Sequence, residues 1–357
     1  MNKKITDYSI IGLIIWNLLL SYYLFDVSSN RNKVSMNFGQ ATPVQQNITT
    51  FETDFTKVIE ANASKVVAVI SNGMVSRAGT GVIYQVSDQG VIIVTSSKHI
   101  QNSSSVDVYF ANGKTVRAEV VGVDSVSDVA VLRVQPDFDV EPMVLGDSAA
   151  SKAGEWVIAL GKPSNANLSG SVTAGILSAK EMIQTSSTSN NYEANWQELY
   201  LQVDILITEE TSGGPLLNIV GELIGINTNQ YHEELGITRT YTLPINEVVL
   251  IVNQIMETGK VERPPFSIYG ISVKDIPTHA KEAYDVGRDL DYGVVVTAIA
   301  GNVIGLKEKD VILEINGDKI DDYKELRRLN YSWRSGDTIV VKVQQNGQIS
   351  DIEVVIP

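Results

Sequence analysis

Hydrophobic and polar positions divide the chain into four stretches of different character. Residues 8–25 form one uncharged, apolar run, and residues 26–54 are rich in Ser, Asn, Gln and Thr without a clear period. Residues 66–245 contain many short β-like runs, separated by turn signals such as Asn112-Gly113. Residues 266–357 alternate strand-like and helix-like runs. The pattern predicts a mainly β chain: an antiparallel barrel or sandwich, then a small α+β domain.

The first apolar run, Tyr8–Phe25, is typical of a transmembrane helix. At about 1.5 Å per residue it just spans a hydrocarbon core of about 30 Å. Lys3 and Lys4 precede it, so the positive-inside rule puts residues 1–7 in the cytoplasm and the C-terminal domains outside. A cleaved signal peptide is less favoured, because the run is long and no small-x-small cleavage site follows. We expect a signal anchor in the cell membrane, followed by a flexible stalk at residues 26–54.

Composition narrows the function classes. The formal net charge of −14 argues against a nucleic-acid partner, because binding to a phosphate backbone needs a basic surface. The chain has no cysteine, which removes disulfides, thiol chemistry and cysteine metal sites. Its three histidines, His99, His232 and His279, are far apart and form no metal-binding motif. We therefore expect neither a metal nor another cofactor.

The segment Asp204–Thr228 carries the strongest chemical signal. Ser212 is followed by two glycines and a proline, and then by a short apolar run, a turn and a strand-like stretch. Glycines beside a serine let backbone N–H groups approach a reacting carbonyl. The segment resembles the nucleophile region of HtrA-type serine proteases, which have a trypsin-like fold. The positions that fit the family pattern are Asp204, Ser212, Gly213, Gly214, Pro215, Asn218, Gly221, Glu222, Gly225 and Asn227.

The resemblance extends towards the N-terminus. Ala78–Ile83 is similar to the family's Gly-Ser-Gly opening strand, and Val121–Leu132 is similar to the segment that carries the catalytic aspartate, here Asp128. The resemblance implies a trypsin-like double β-barrel over residues 55–261, with Ser212 as the nucleophile and Asp128 as the carboxylate that orients the base.

The position of the base departs from the family pattern. The family places its histidine three residues after a strand-ending threonine, which is Thr95 here, and that position holds Lys98. His99 is one residue late, and a shift of one residue turns a side chain to another face. His99 reaches Ser212 only if a bulge absorbs the extra residue. Lys98 acts as base only if it is buried, as in Ser-Lys enzymes. We favour a third interpretation, in which Lys98 is solvated and His99 is an ordinary surface or half-buried histidine.

The oxyanion hole departs from the pattern as well. The family has a glycine two residues before the serine, and its N–H, together with that of the serine, stabilises the oxyanion. Here Glu210 takes that position before Ser212. A residue with a side chain tolerates the required backbone poorly, and the carboxylates of Glu209 and Glu210 oppose a developing negative charge. Both departures predict impaired catalysis.

The C-terminal domain begins near Glu262–Pro265, so we assign it residues 262–357. Its strand and helix order resembles the PDZ domain of HtrA-type proteins. The resemblance implies that Tyr269, Gly270 and Ile271 form the loop that binds a peptide C-terminal carboxylate while the peptide adds as a strand. The helix Tyr323–Asn330 is then the other wall of the groove.

Two functions follow from the resemblance. The first is a membrane-anchored serine endopeptidase homologue in extracytoplasmic protein quality control, acting on unfolded or exported proteins with impaired catalysis. The second is a pseudoprotease that binds peptide C-termini as a sensor, scaffold or chaperone. The family often forms trimers, so a homotrimer is a further expectation.

Overall fold

The computed structural model describes residues 3–31, 53–73, 76–162, 170–186, 196–234, 237–263, 267–300, 305–329 and 331–356. The chain divides into two compact units, Met1–Phe51 and Glu52–Pro357. The first unit contains helix α1, Lys3–Arg31, and the second contains all other elements. Most of the predicted stalk, from position 32 to position 52, lies outside the described residues.

Helix α1 exposes apolar side chains all around its axis. From Gly12 to Val27 every side chain is exposed, and Trp16 and Phe25 are 67% and 72% accessible. The helix continues through Asp26–Arg31, where the sequence predicts the start of a stalk. Among the helices of the described residues, none has both the length and the apolar character of a membrane span. The predicted transmembrane helix is therefore not confirmed.

The first barrel of the second unit consists of six strands, β1–β6: Val66–Gly73, Arg77–Ser87, Gly90–Thr95, Ser103–Tyr109, Thr115–Asp124 and Val129–Val134. The strands close in the order β1-β2-β3-β6-β5-β4. Inward-facing apolar side chains such as Val67, Ile83 and Leu132 fill the interior. The β4–β5 turn contains Gly113 at φ +82°, as its Asn-Gly sequence predicts.

The second barrel also has six strands, β7–β12: Trp156–Gly161, Ser171–Ser186, Trp196–Val203, Pro215–Asn218, Leu223–Glu234 and Ile237–Pro244. They close in the order β10-β11-β12-β9-β8-β7. Helix α2, Asp54–Asn62, precedes the barrels, and helix α3, Ile245–Thr258, follows them. One buried cluster joins Val94 of the first barrel, Leu217 of the second and Val252 of α3. This shared core holds the two barrels together, and the loops of the site lie between them.

The C-terminal part forms an antiparallel sheet covered by one helix. Strands β13–β18 are Ser267–Ser272, Val294–Ala300, Val311–Ile315, Asp318–Lys319, Thr338–Gln345 and Gln348–Val355, and helix α4 is Tyr323–Leu329. The sheet order is β13-β14-β15-β17-β18, with β16 paired to β15. Strand β13 is therefore an edge strand. Buried residues such as Val294, Leu326 and Val341 form the core between the sheet and α4.

Helix α4 packs against helix α3 through buried charges. Glu247 of α3 is fully buried and pairs with Arg327, and its other oxygen lies 3.2 Å from Nε of Arg328. Tyr331, just after α4, belongs to the same apolar cluster as the barrels. The side-chain amide of Gln254 donates to the Tyr331 carbonyl. The barrels and the C-terminal sheet are thus tied together by specific contacts within one compact unit.

A second set of buried charges connects the segment before β13 to the first barrel. Both Nη atoms of Arg263 lie 2.6 Å from the carboxylate of Asp124, and one lies 3.5 Å from Glu198. Burial opposes the ionisation of Asp124, but Arg263 outweighs it and holds the pKa of Asp124 below its usual value. The buried carboxylate of Glu198 has a raised pKa, because desolvation exceeds the effect of Arg263. Asp124 also accepts the N–H of Ser127 at 3.1 Å, so Arg263 is linked to the Asp128 loop.

Candidate active site and peptide groove

Ser212 lies in the turn before strand β10, and its backbone is held by glycines. Gly213 has φ +76°, and a Cβ there would lie 2.6 Å from the Ser96 nitrogen, so only glycine fits. The N–H of Gly213 donates to the carbonyl of Asn227 at 2.7 Å. Ser212 itself is fully buried. Its Oγ makes no hydrogen bond to any part of the chain that the structure describes.

Asp128 is buried and faces the turn that follows Thr95. Its Oδ1 accepts hydrogen bonds from the hydroxyls of Ser96 and Ser97, at 2.8 and 2.9 Å, and from the Lys98 N–H at 3.1 Å. Its Oδ2 has no hydrogen-bond partner among the described residues, and the ammonium of Lys98 lies 3.8 Å from it. The side chain of Lys98 is 43% exposed. Lys98, and not a histidine, is therefore the cationic side chain beside the free oxygen of Asp128.

His99 contacts the main chain of Ser212 and is 6% exposed, so the expectation of a surface or half-buried histidine is wrong. It ends a short 3₁₀ turn, Ser97–His99, and its ring packs against Gly79, where a Cβ would overlap the imidazole. The His99 Nε2 lies 3.3 Å from the carbonyl oxygen of Ser212. Because a carbonyl only accepts, Nε2 carries the proton and donates it. Burial lowers the pKa of His99, although the charge of Asp128 and the bond to Ser212 oppose this. This nitrogen cannot accept a proton while it donates to Ser212.

In the turn before Ser212, the N–H of Ser212, which would stabilise an oxyanion, is already hydrogen-bonded within the turn. The N–H of Ser212 donates to the carbonyl of Thr208 at 2.9 Å, and the N–H of Thr211 donates to the same oxygen at 3.2 Å. Glu210 is exposed, and it is not among the described residues with positive φ. Its carbonyl accepts a hydrogen bond from the hydroxyl of Thr80. In this arrangement the Thr208 carbonyl is the partner of the Ser212 N–H.

The predicted catalytic residues thus form two separate pairs and not one triad. Lys98 lies with Asp128, and His99 lies with the main chain of Ser212. The sequence interpretation did not include the hydroxyls of Ser96 and Ser97 as partners of Asp128, nor Thr80 as a partner of Glu210. A signal for the serines was available, since both directly follow Thr95 in a turn that has to face Asp128. Within the described residues, no three His, Asp or Glu side chains are arranged to hold a metal ion.

The predicted carboxylate loop lies on the edge strand β13. Tyr269, Gly270 and Ile271 are half-buried, and the pairing of β13 with β14 shifts register between Tyr269 and Gly270. Helix α4 lies beside this strand, and the Tyr323 hydroxyl donates to the Ile268 carbonyl at 3.0 Å. Asn330, the predicted end of this helix, lies outside the described residues. The structure thus brings the three loop residues and the start of α4 to one edge of the sheet.

Two closed six-stranded barrels with a serine and an aspartate between them define a trypsin-like peptidase fold. A family model described as a trypsin-like peptidase domain matches residues 79–226, and one described as a PDZ domain matches residues 269–356. The chain is 35% identical to the serine protease Do-like HtrA of Lactobacillus helveticus over 284 residues, which are 77% of this chain and 67% of the relative. It is 30% identical to the protein of that name from Lactococcus lactis subsp. cremoris over 339 residues, which are 92% of this chain and 82% of the relative.

A solved structure is similar over most of the chain. The HtrA-type protease AlgW with tripeptide superimposes with a TM-score of 0.62 at 26% identity, covering 85% of this chain and 96% of that one. The chain therefore belongs to the HtrA, or Do-like, family of serine protease homologues. The predicted mainly β fold, with a trypsin-like part and a PDZ domain, is confirmed.

Proposed function

We propose that this HtrA-family chain binds peptides and unfolded proteins while its peptide hydrolysis is impaired. One observation carries the proposal: the Nε2 of His99 is bound to the backbone carbonyl of Ser212, while Lys98 is the side chain beside Asp128. Serine attacks a carbonyl only when a base removes its proton, and the triad supplies a histidine for this task. A His99 that donates from Nε2 has no lone pair there for the Ser212 proton.

Lys98 does not replace the missing base. Lysine acts as a base where burial in an apolar pocket removes its charge. Lys98 keeps 43% of its side chain exposed, and its ammonium lies 3.8 Å from a carboxylate oxygen of Asp128, so it lies in no such apolar pocket. The ion pair of Lys98 with Asp128 compensates the charge of a buried carboxylate and so stabilises the fold. It provides no acceptor for the proton of Ser212.

The oxyanion site adds a second obstacle. The N–H of Ser212 is bound to Thr208, so a reacting carbonyl would have to break that bond first. Loss of one oxyanion donor costs about 3–4 kcal/mol in mutant enzymes, or roughly 10²–10³ in rate. Glu210 also places a side chain where the family has a glycine, and its carbonyl is held by the Thr80 hydroxyl. The missing base and the occupied oxyanion donor therefore both lower the expected rate of peptide hydrolysis.

An active-serine phosphonate probe tests this proposal. We expect the wild-type chain to label no faster than Ser212→Ala when adducts are counted by intact-protein mass spectrometry. Bovine trypsin at the same concentration is the positive control for the probe. Rapid stoichiometric labelling of Ser212 in the wild type would contradict the proposal. It would show that the turn rearranges in solution and that a working base reaches the hydroxyl.

A serine endopeptidase is the second candidate. It is favoured by the buried Ser212 hydroxyl, which has no partner among the described residues, and by the intact glycine framework around it. Activity on this scaffold would need His99 to leave the Ser212 carbonyl and the Thr208 turn to open. Peptide-dependent labelling of Ser212 would identify such a switch.

The partners that we propose are unfolded or exported proteins with accessible C-termini. The position of β13 at the end of the sheet and its segment Tyr269-Gly270-Ile271 support peptide binding by strand addition. Binding of a labelled decapeptide acid, but not of its amide, is the expected result in fluorescence polarisation. Equal binding of acid and amide would show that the carboxylate loop is not used. A homotrimer is proposed from the family alone, and sedimentation equilibrium tests it.

We also propose that α1 anchors the chain in the cell membrane, with the barrels and the PDZ domain outside. The exposed apolar side chains from Leu13 to Phe25 support this, because a helix that is apolar all round is stable only when buried or in lipid. The protein should stay in the membrane fraction after alkaline carbonate extraction. External protease should degrade the barrels on cells stripped of their wall, and full protection would contradict the orientation.

A further inference from the structure

Thr80 lies between the two barrels and points towards the second one. It belongs to strand β2, where its neighbour Gly81 faces the interior of the first barrel, and a Cβ there would lie 2.9 Å from side-chain atoms of Ile93 and Val69. Because successive side chains of a strand point to opposite faces, Thr80 points out of that barrel. Its methyl group would lie 2.9 Å from a Cβ at Gly214, just before strand β10. Thr80 is fully buried in this position.

The Thr80 hydroxyl bonds to two backbone groups of the second barrel. It accepts the N–H of Lys162, just after strand β7, at 2.7 Å. It donates its proton to the carbonyl of Glu210. The hydroxyl thus acts as acceptor and donor at once. Because threonine is β-branched, the contact of its methyl group with Gly214 also fixes the direction of the hydroxyl.

The Glu210 carbonyl belongs to residues 208–212, which we call the nucleophile turn. The N–H groups of Thr211 and Ser212 both donate to the carbonyl of Thr208, at 3.2 and 2.9 Å. The N–H of Thr208 donates to Oγ1 of Thr211 at 2.8 Å, which closes the turn. In this closed turn the N–H of Ser212 does not reach an oxyanion.

One rigid peptide unit couples the Thr80 hydroxyl to the nucleophile turn. The peptide bond between Glu210 and Thr211 is planar and trans, so its C=O and its N–H point in opposite directions. The Thr80 hydroxyl holds the C=O end of this unit, and the Thr208 carbonyl holds the N–H end. Opening the turn rotates the unit, so the bond to Thr80 has to break at the same time.

We propose that Thr80 is a positioning residue that keeps the nucleophile turn closed. By holding the Glu210 carbonyl, its hydroxyl keeps the N–H of Ser212 on Thr208 and out of the oxyanion site. This inference rests on the proposed impairment of hydrolysis and names a residue of the first barrel that contributes to it. Without the hydroxyl, the Glu210 carbonyl and the Lys162 N–H lose their partner in the closed turn. The population of the open turn should then rise about tenfold, since one unmade hydrogen bond changes an equilibrium by about this factor.

The test compares Thr80→Val with the wild type in the full chain by hydrogen–deuterium exchange at single-amide resolution. Valine keeps the methyl contact and the backbone bonds of Thr80 and removes the hydroxyl. We expect the amides of Thr211 and Ser212 to exchange about tenfold faster in Thr80→Val, because exchange proceeds through the open turn. Thr228→Val is the matched control, since Thr228 is also fully buried and donates to a backbone carbonyl, that of Tyr241, at 3.1 Å. It should leave these two amides unchanged.

Rescue by a conservative variant separates positioning from packing. Thr80→Ser keeps the hydroxyl and should exchange within about twofold of the wild type. Thr80→Ala and Thr80→Ser differ by the hydroxyl alone, so this pair makes the same comparison if Thr80→Val folds poorly. The second readout is phosphonate labelling in a chain that carries Lys98→His. Adding Thr80→Val to that chain should raise the labelling rate of Ser212 about tenfold, and adding Thr80→Ser should not.

The outcomes distinguish this inference from the proposed function. Equal exchange of the Thr211 and Ser212 amides in Thr80→Val and the wild type, or in Thr80→Ala and Thr80→Ser, would overturn the role of Thr80. An increase that the Leu132 amide in the core of the first barrel matches would reveal a general loss of stability and would overturn it too. Rapid labelling of Ser212 in the wild type would contradict impaired hydrolysis alone, because amide exchange does not depend on catalysis.

Discussion

Arg263 connects the segment before strand β13 to the loop of Asp128, and Arg263→Met tests the strength of that connection. The change keeps an unbranched stem and removes the guanidinium. Asp124, which is 6% exposed, and Glu198, which is fully buried, then lose their shared cation. Removing one partner of a buried ion pair costs about 3–5 kcal/mol, because an uncompensated charge stays in the interior. We expect the free energy of unfolding in urea at pH 7 to fall by this amount.

Arg117→Met is the matched control. Arg117 also contacts a carboxylate at 2.6 Å, that of Asp107, but its side chain is 65% exposed whereas that of Arg263 is 12% exposed. Exposed ion pairs contribute about 0–1 kcal/mol, since water screens them. The two variants remove the same charge at the same contact distance and differ in burial. Their difference therefore reports the effect of burial together with that of the second carboxylate, Glu198, which only Arg263 contacts.

The pH dependence of the Arg263 variant has a definite sign. The pKa of Asp124 in the folded protein is below its usual value, so its contribution to stability is present above about pH 4 and is lost as the pH falls through the folded pKa. In Arg263→Met the lowering effect of Arg263 is gone and only the hydrogen bonds from Ser127 still oppose burial, so the pKa of Asp124 rises and the variant becomes more stable relative to the wild type in acid. The difference between them should shrink from pH 7 to pH 3. Equal losses for Arg263→Met and Arg117→Met at pH 7, or a difference that grows in acid, would refute this reasoning.

Three further predictions concern the site and the N-terminal helix. Gly79→Ala should lower stability by about 1–3 kcal/mol in calorimetry, because its Cβ would overlap the buried His99 ring; no change would show that the ring moves freely. Lys98→His together with Glu210→Gly should raise phosphonate labelling by at least about 10²-fold over the wild type, since it supplies a base and frees the oxyanion position; an unchanged rate in a folded variant would count against the assigned defects. Removing residues 1–31 should release the chain from the membrane fraction into the soluble fraction. If the shortened chain stays in the membrane fraction, the anchor lies elsewhere in the chain.

The barrels could be predicted from the sequence because their signal is local. Short apolar runs with turns such as Asn112-Gly113 define antiparallel strands, and the Ser212 and Asp128 segments carry long, ordered motifs. Departures from those motifs, at Lys98 and Glu210, were also visible in the sequence. The local sequence pattern around Lys98 and Glu210 does not determine where the side chains in these two turns point.

The contacts that decide the chemistry are not local. The orientation of His99 depends on space left by Gly79 and on the carbonyl of Ser212, which is far along the chain. The bond from the Ser212 N–H to Thr208 depends on whether the turn adopts a helical conformation, and a Glu-Glu-Thr sequence does not determine that. The pairing of Arg263 with Asp124 joins two segments that no pattern of spacing relates. Such features follow from packing and appear only in three dimensions.

Hydrolysis of a quenched-fluorescent casein tests whether the Ser212 hydroxyl lacks a base. We expect the wild type, Ser212→Ala and His99→Ala to hydrolyse the substrate at one indistinguishable background rate, with and without a C-terminal peptide. A wild-type rate at least about 10³-fold higher, abolished by Ser212→Ala and by His99→Ala but retained by Lys98→Ala, would contradict it. That result would establish His99 as the general base and the chain as a working protease.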